Sequence, residues 1–171
     1  WLEVTNVNRT IDIAGLTVAV RGIDDPHIMR DRYEEVAGPF GRADLNLAVV
    51  HAPYLRILNA LAGDDAQLII AGHTHGGQLC LPGGRALVTN CDLPRSMARG
   101  LHHYRPMVAR VPRIEADSPR TWLGPSPESL TGHPWLHVSA GLGTSPYAPV
   151  RFACAPEATV LTLVARDLPG G

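Results

Sequence analysis

The sequence predicts an α/β fold, and three features carry that prediction. Leu45-Asn46-Leu47-Ala48-Val49-Val50 is a short apolar run with the length of a buried strand. Gln67-Leu68-Ile69-Ile70-Ala71 is a second such run. Between them Leu55, Leu58 and Leu61 recur at helical spacing, after Pro53, which suits a first helical turn, and before the breaker Gly63-Asp64-Asp65. Strand, helix, strand in that order is the βαβ unit of a sheet with flanking helices.

The other elements follow in chain order. Leu2–Ile13 and Leu16–Val20 read as two strands separated by Ala14-Gly15. Asp24-Asp25-Pro26 interrupts that pattern, and a short charged helix is expected over Ile28–Val36, ending at Gly38-Pro39. Residues 105–134 hold six prolines and little periodicity, so they are expected to form a long insertion loop. Trp135–Ser139 reads as a strand and Gly141-Leu142-Gly143-Thr144-Ser145 as a loop. A final hairpin is expected, with strands Val150–Cys154 and Ala158–Ala165.

Composition bounds the function. The 171 residues suffice for one domain with a sizeable core, expected to span 1–171. Fifteen basic residues against sixteen acidic ones give a net charge of -1, so no electrostatic footprint for nucleic acid is expected. All the basic residues are arginine. No apolar run approaches the roughly 20 residues of a membrane helix. Cys80, Cys91 and Cys154 are odd in number and lack metal-ribbon spacing, which argues against a disulfide framework.

Among the eight histidines, His27, His133 and His137 read as surface or satisfied core residues, and the His102-His103 pair is only slightly more suggestive. His73 and His75 differ, because they follow an apolar strand directly and are flanked by Gly72, Gly76 and Gly77. In extended backbone, residues i and i+2 share a face, so both imidazoles are expected to point into one cavity. The glycines would let the backbone turn and a ligand approach. His51 ends the preceding strand. Three imidazoles at the strand ends suit Zn, Mn or Fe.

His51-Ala52-Pro53 and Gly72-His73-Thr74-His75-Gly76-Gly77-Gln78 together resemble the C-terminal motifs of the calcineurin-like metallophosphoesterases. Gly22-Ile23-Asp24-Asp25-Pro26, Gly141-Leu142-Gly143-Thr144-Ser145 and Arg151-Phe152 with Ala155-Pro156-Glu157 are similar to the bacterial YkuE- and YaeI-like subgroup. Other His-x-His sites fit less well. A metallo-β-lactamase site wants Asp and His after the second histidine, and a histidine-triad hydrolase wants His at position 77. The resemblance implies a metal-dependent phosphoester hydrolase in which two divalent ions, roughly 3.5–4 Å apart, share a bridging hydroxide that attacks phosphorus. It implies that His51 and His73 ligate one ion and His75 the other, with Gly76 and Gly77 forming the turn beneath.

The family's remaining ligands come from an Asp-x-His, a Gly-Asp and a Gly-Asn-His motif. Asp25-Pro26-His27 matches the first in letters, but it follows a late segment and Pro26 imposes a turn, so it is not read as a ligand pair. Gly63-Asp64 reads as a helix-ending turn, and no Asn-His pair occurs. The chain therefore resembles the C-terminal half of a four-layer αββα sandwich, with Trp1 at a cut edge. At most one ion and no activity are expected of it alone. An apolar sheet face is expected to need a partner, either an N-terminal half or a second copy. A non-catalytic metal-binding or scaffold domain is the alternative. The resemblance leaves localisation between the cytoplasm and a membrane reached through a preceding segment.

Overall fold

A computed structural model describes residues 1–107, 133–145 and 147–164. They form a mixed α/β domain. Strands β1 (Val7–Ile13), β2 (Leu16–Ile23), β3 (Leu45–Val50), β4 (Leu68–Ala71), β7 (Gly100–His103) and β8 (Trp135–Val138) make one sheet in the order β1-β2-β3-β4-β8-β7. β5 (Cys80–Leu81) and β6 (Arg85–Ala86) form a separate small hairpin. The four central strands β2, β3, β4 and β8 run parallel, and the two edge strands are antiparallel to their neighbours.

Helix α1 (Leu55–Gly63) links β3 to β4, as the leucine spacing predicts. Its start is capped from a distance, where Asp92 Oδ1 accepts from the Leu55 amide at 2.8 Å. Ile57, Leu58 and Leu61 are buried against Ala48, Val50, Ile69, Ala71, Leu136 and Val138 on one sheet face. The other face is less covered. Leu45, Leu47, Val49 and Ile70 are only half-buried there, and Leu16, Leu101 and Trp135 are exposed. Near the ends of the strands Val4 crosses this face over Gly22, where any Cβ would overlap the Val4 carbonyl.

Three expectations are corrected. The helix over Ile28–Val36 is replaced by two 3-10 turns, Pro26–Ile28 and Tyr33–Glu35, with Met29 left-handed between them. Tertiary contacts override the local preference: Asp31 is buried in a bidentate pair with Arg56 at 2.6 and 2.7 Å, and the buried Tyr33 donates to Asp64 at 2.6 Å. The first strand begins at Val7 rather than Leu2, after Asn6 takes a positive φ of 51°. The C-terminal hairpin does not form among the described residues. Phe152 makes an isolated bridge to Leu79, while residues 155–164 join no ladder. Arg151 organises this region instead, donating to the carbonyls of His75, Ala140, Gly141, Gly143 and Ala155. The segment 105–134 lies outside the described residues except at its two ends.

A buried ion pair ties the β1–β2 side of the sheet to the end of α1. Arg21, 3% exposed, bonds Asp64 at 2.6 Å, Asn8 at 2.9 Å and the Gly38 carbonyl at 2.8 Å. Its guanidinium lies 4.3 Å from the Phe40 ring centroid. Asp64 also accepts from Tyr33 and from the Gly38 amide. Arg21→Met would remove the counter-charge of that carboxylate, leaving it only the Tyr33 hydroxyl and the Gly38 amide, and is expected to cost about 3 kcal/mol. Arg32→Met, at the exposed Arg32–Glu35 pair, is expected to cost at most about 0.5 kcal/mol. The midpoints of urea unfolding curves distinguish the two.

Candidate metal centre

The parallel strands end in step. Ile23, Val50, Ala71 and Val138 form one row of paired residues across β2, β3, β4 and β8. The ladder extends one residue further: the His51 amide donates to the Ile23 carbonyl, the Gly72 amide to the His51 carbonyl and the Ser139 amide to the Ala71 carbonyl. Three consecutive parallel strands thus release their chains at one rim, and Asp25, His51 and His73 are each within two residues of a strand end. Their ligand atoms all lie within 4.8 Å of one another.

Local bonding aims each of them. Asp25 caps the turn at Pro26–Ile28, its Oδ1 accepting from the His27 amide at 2.8 Å, while its Oδ2 stands 3.6 Å from His51 Nε2. His73 Nδ1 lies 3.4 Å from the same His51 nitrogen. On the other side of its ring, His73 Nε2 meets the Asn90 carbonyl at 3.2 Å. The Asn90 side-chain amide stands 3.5 Å from the same nitrogen, so Asn90 offers Nε2 both an acceptor and a donor while Nδ1 faces His51. Burial lowers the His73 pKa, and the neighbouring His27 and His51 push in the same direction, against the Asn90 hydrogen bond. The neutral imidazole that can act as a ligand is favoured. His27 packs its ring 4.7 Å from that of His73 and holds the Tyr54 hydroxyl at 2.8 Å through Nδ1. Two imidazoles and a carboxylate this close together could hold a metal ion.

The loop after β4 does not run as an extended strand. His73, His75 and Gln78 have positive φ of 66°, 50° and 51°, and Thr74 between the histidines is helical. The shared face of residues i and i+2 is lost, so His73 joins His51 while His75 contributes nothing to the trio. Thr74 is buried in the turn, donating from Oγ1 to the Ala98 carbonyl at 2.7 Å. His75 sits beside Arg151 and Gly143, its pKa lowered first by burial and then by Arg151. His51 also acts on it electrostatically. Non-glycine residues in this backbone region are strained, and strain of this kind collects at functional loops.

Of the three glycines, Gly72 has room for a side chain, its nearest neighbour being the His51 carbonyl at 3.5 Å from an added Cβ. Gly76 does not, because a Cβ there would meet Cys154 Sγ at 2.9 Å and Ala140 Cβ at 3.0 Å. Gly77 is tighter still, at φ +88° against Ala86. Asp25 is the residue the motif reading passed over. Its signal was its place just after β2, equivalent to that of His51 after β3. His133 and His103 pack together away from the trio, with His103 also against Trp135. His102 bonds the Arg99 carbonyl, and His137 is buried in β8.

No family model matches the chain, and no solved structure matches it. It is similar to the uncharacterized protein YpbG of Bacillus subtilis (strain 168), at 39% identity over 66 residues. That stretch is 38% of this chain and spans only 25% of the relative.

The loop depends on Gly77. Gly77→Ala is expected to lower stability by about 1–3 kcal/mol, because it adds both backbone strain and overlap with Ala86. Gly72→Ala, with an open position and no positive φ, is expected to stay within about 1 kcal/mol. Thermal melts followed by circular dichroism compare them.

Proposed function

We propose that this chain carries the histidine-bearing part of a metal-dependent phosphoester hydrolase, and that alone it binds one divalent ion without turning over substrate. The observation that carries the reading is the meeting of Asp25, His51 and His73 at the ends of three neighbouring parallel strands. The donor set fits one ion of the Mn, Zn or Fe class, held by His51 Nε2, His73 Nδ1 and Asp25 Oδ2. Such an ion, when bound, polarises a phosphoryl oxygen and acidifies a water. The chain's own part is to orient. Asn90 holds the His73 ring at Nε2 and the turn at Pro26 holds the Asp25 carboxylate.

A bridged pair of ions does not fit these residues. Among the described residues the trio is the one group of its kind, and His75 stands outside it. The bridging ligands of a two-metal hydrolase would come from residues beyond this chain. Two further observations favour a completing partner. The sheet face opposite α1 is apolar and half-open, and the Ala158–Val164 stretch is unpaired, with Val160 and Val164 exposed. An N-terminal half that supplies a second sheet would meet both needs and produce the four-layer sandwich. A second copy of the chain would cover the face as well. The single trio also favours a second reading, a non-catalytic metal-binding or scaffold domain derived from that fold.

Titration of the metal-free chain with Mn(II) or Zn(II), followed by calorimetry, is expected to give one ion per chain. His51→Ala and His73→Ala are expected to weaken binding by more than about tenfold. His75→Ala is expected to change it by less than about threefold. No ion bound, or affinity indifferent to His51 and His73, overturns the site. Metal-dependent turnover of a chromogenic phosphodiester by this chain alone overturns its inactivity.

A further inference from the structure

Beside the loop that carries His73 and His75 lies a recess of different chemistry. The β5–β6 hairpin and the turn at residues 95–99 enclose about 380 Å³, lined chiefly by Arg85, Arg95, Arg99, Ser96, Leu81 and Leu87. Three arginines line one recess in a chain whose net charge is -1. No carboxylate lines it among the described residues. Arg21, Arg32 and Arg56 each pair with an acid, whereas Arg85, Arg95 and Arg99 have no such partner among the described residues.

Backbone contacts position these cations in place of counter-ions. Arg95 donates to the Leu87 carbonyl at 3.1 Å. The half-buried Arg99 runs its stem past Gly76 and lays its guanidinium on Gly84, where a Cβ would overlap Nη2. Arg85 and Arg95 are exposed and Arg99 is half-buried; like charges gathered without compensation repel, and a bound anion relieves that repulsion. The planar guanidinium fork matches the oxygens of a phosphate group. The rest of the wall is aliphatic, with Leu81 and Leu87 45% and 42% exposed. A ligand that fills the recess therefore sets an apolar group beside its anionic one.

We propose that this recess is a binding site for a phosphate monoester bearing an apolar group, the phosphate held by Arg85, Arg95 and Arg99 and the apolar part lying on Leu81 and Leu87. It uses none of Asp25, His51 or His73, so it stands or falls independently of the metal reading.

Calorimetric titration of the full chain with hexyl phosphate and with inorganic phosphate tests the site. Hexyl phosphate is expected to bind one to one, about tenfold or more tighter than inorganic phosphate, since each buried methylene contributes about fourfold. Arg99→Met is expected to weaken hexyl phosphate by about tenfold. Leu87→Asn is expected to remove the alkyl advantage while leaving inorganic phosphate unchanged. His73→Ala is expected to leave both unchanged. Should Arg99→Met unfold, Arg85→Met decides, because that side chain is exposed and removed from the main core. Absence of hexyl phosphate binding, binding that survives the arginine substitutions, or binding lost in His73→Ala overturns the proposal. Displacement of hexyl phosphate by phosphatidic acid in phosphatidylcholine vesicles identifies a lipid as the source. No displacement identifies a soluble ester, and either result supports the site.

Discussion

Everything at the rim depends on the register of four parallel strands. Ile23, Val50, Ala71 and Val138 stand in one row, and the residues just beyond three of these ends include Asp25, His51 and His73. A slip of one residue in any strand would move its side chains to the opposite face. α1 prevents such a slip, because it covers Ala48, Val50, Ile69 and Ala71 and leaves the alternate residues to the other side. The geometry of the Asp25–His51–His73 cluster is in this sense set by apolar packing well below it. The histidines themselves contribute little to holding it.

The legible parts of the sequence were those whose signals are local. β3, α1 and β4 follow from apolar runs and helical spacing within 27 residues, 45 to 71. The stretch 28–36 did not follow, since Asp31 and Tyr33 are fixed by Arg56 and Asp64, partners distant in sequence. β7 was not legible because Gly100 and two histidines give it no strand signature. In the site, His51 and His73 were readable from their position after strands. Asp25 was not, as its nearness to them depends on the pairing of β2 with β3. The extended backbone expected at His73 and His75 does not hold, and no pattern of residue types announces the left-handed turns there.

Arginine takes on work that regular structure does elsewhere. Arg21 joins β1, α1's end and the 33–40 segment through Asn8, Asp64 and Gly38. Arg56 anchors Asp31. Arg151 gathers five carbonyls of the loops around His75 and Ala140 in a region without a ladder. Each role needs several N–H donors fixed in a plane, which a lysine ammonium does not have. The all-arginine composition, unremarkable as a count, becomes structural at these three positions.

The place of β8 between β4 and β7 has a consequence for how the chain assembles. β1 and β2 are joined by a two-residue turn, and β3, α1 and β4 are consecutive, so these pairings close short loops. β4 meets β8 only when Leu68 finds Trp135, across a far longer stretch of chain. During that interval the growing sheet ends on Leu68-Ile69-Ile70-Ala71, a hydrophobic border carrying no charge and no proline. Such a border is an open template for the wrong strand. In the folded chain the strand at 135–138 covers that border and removes the template.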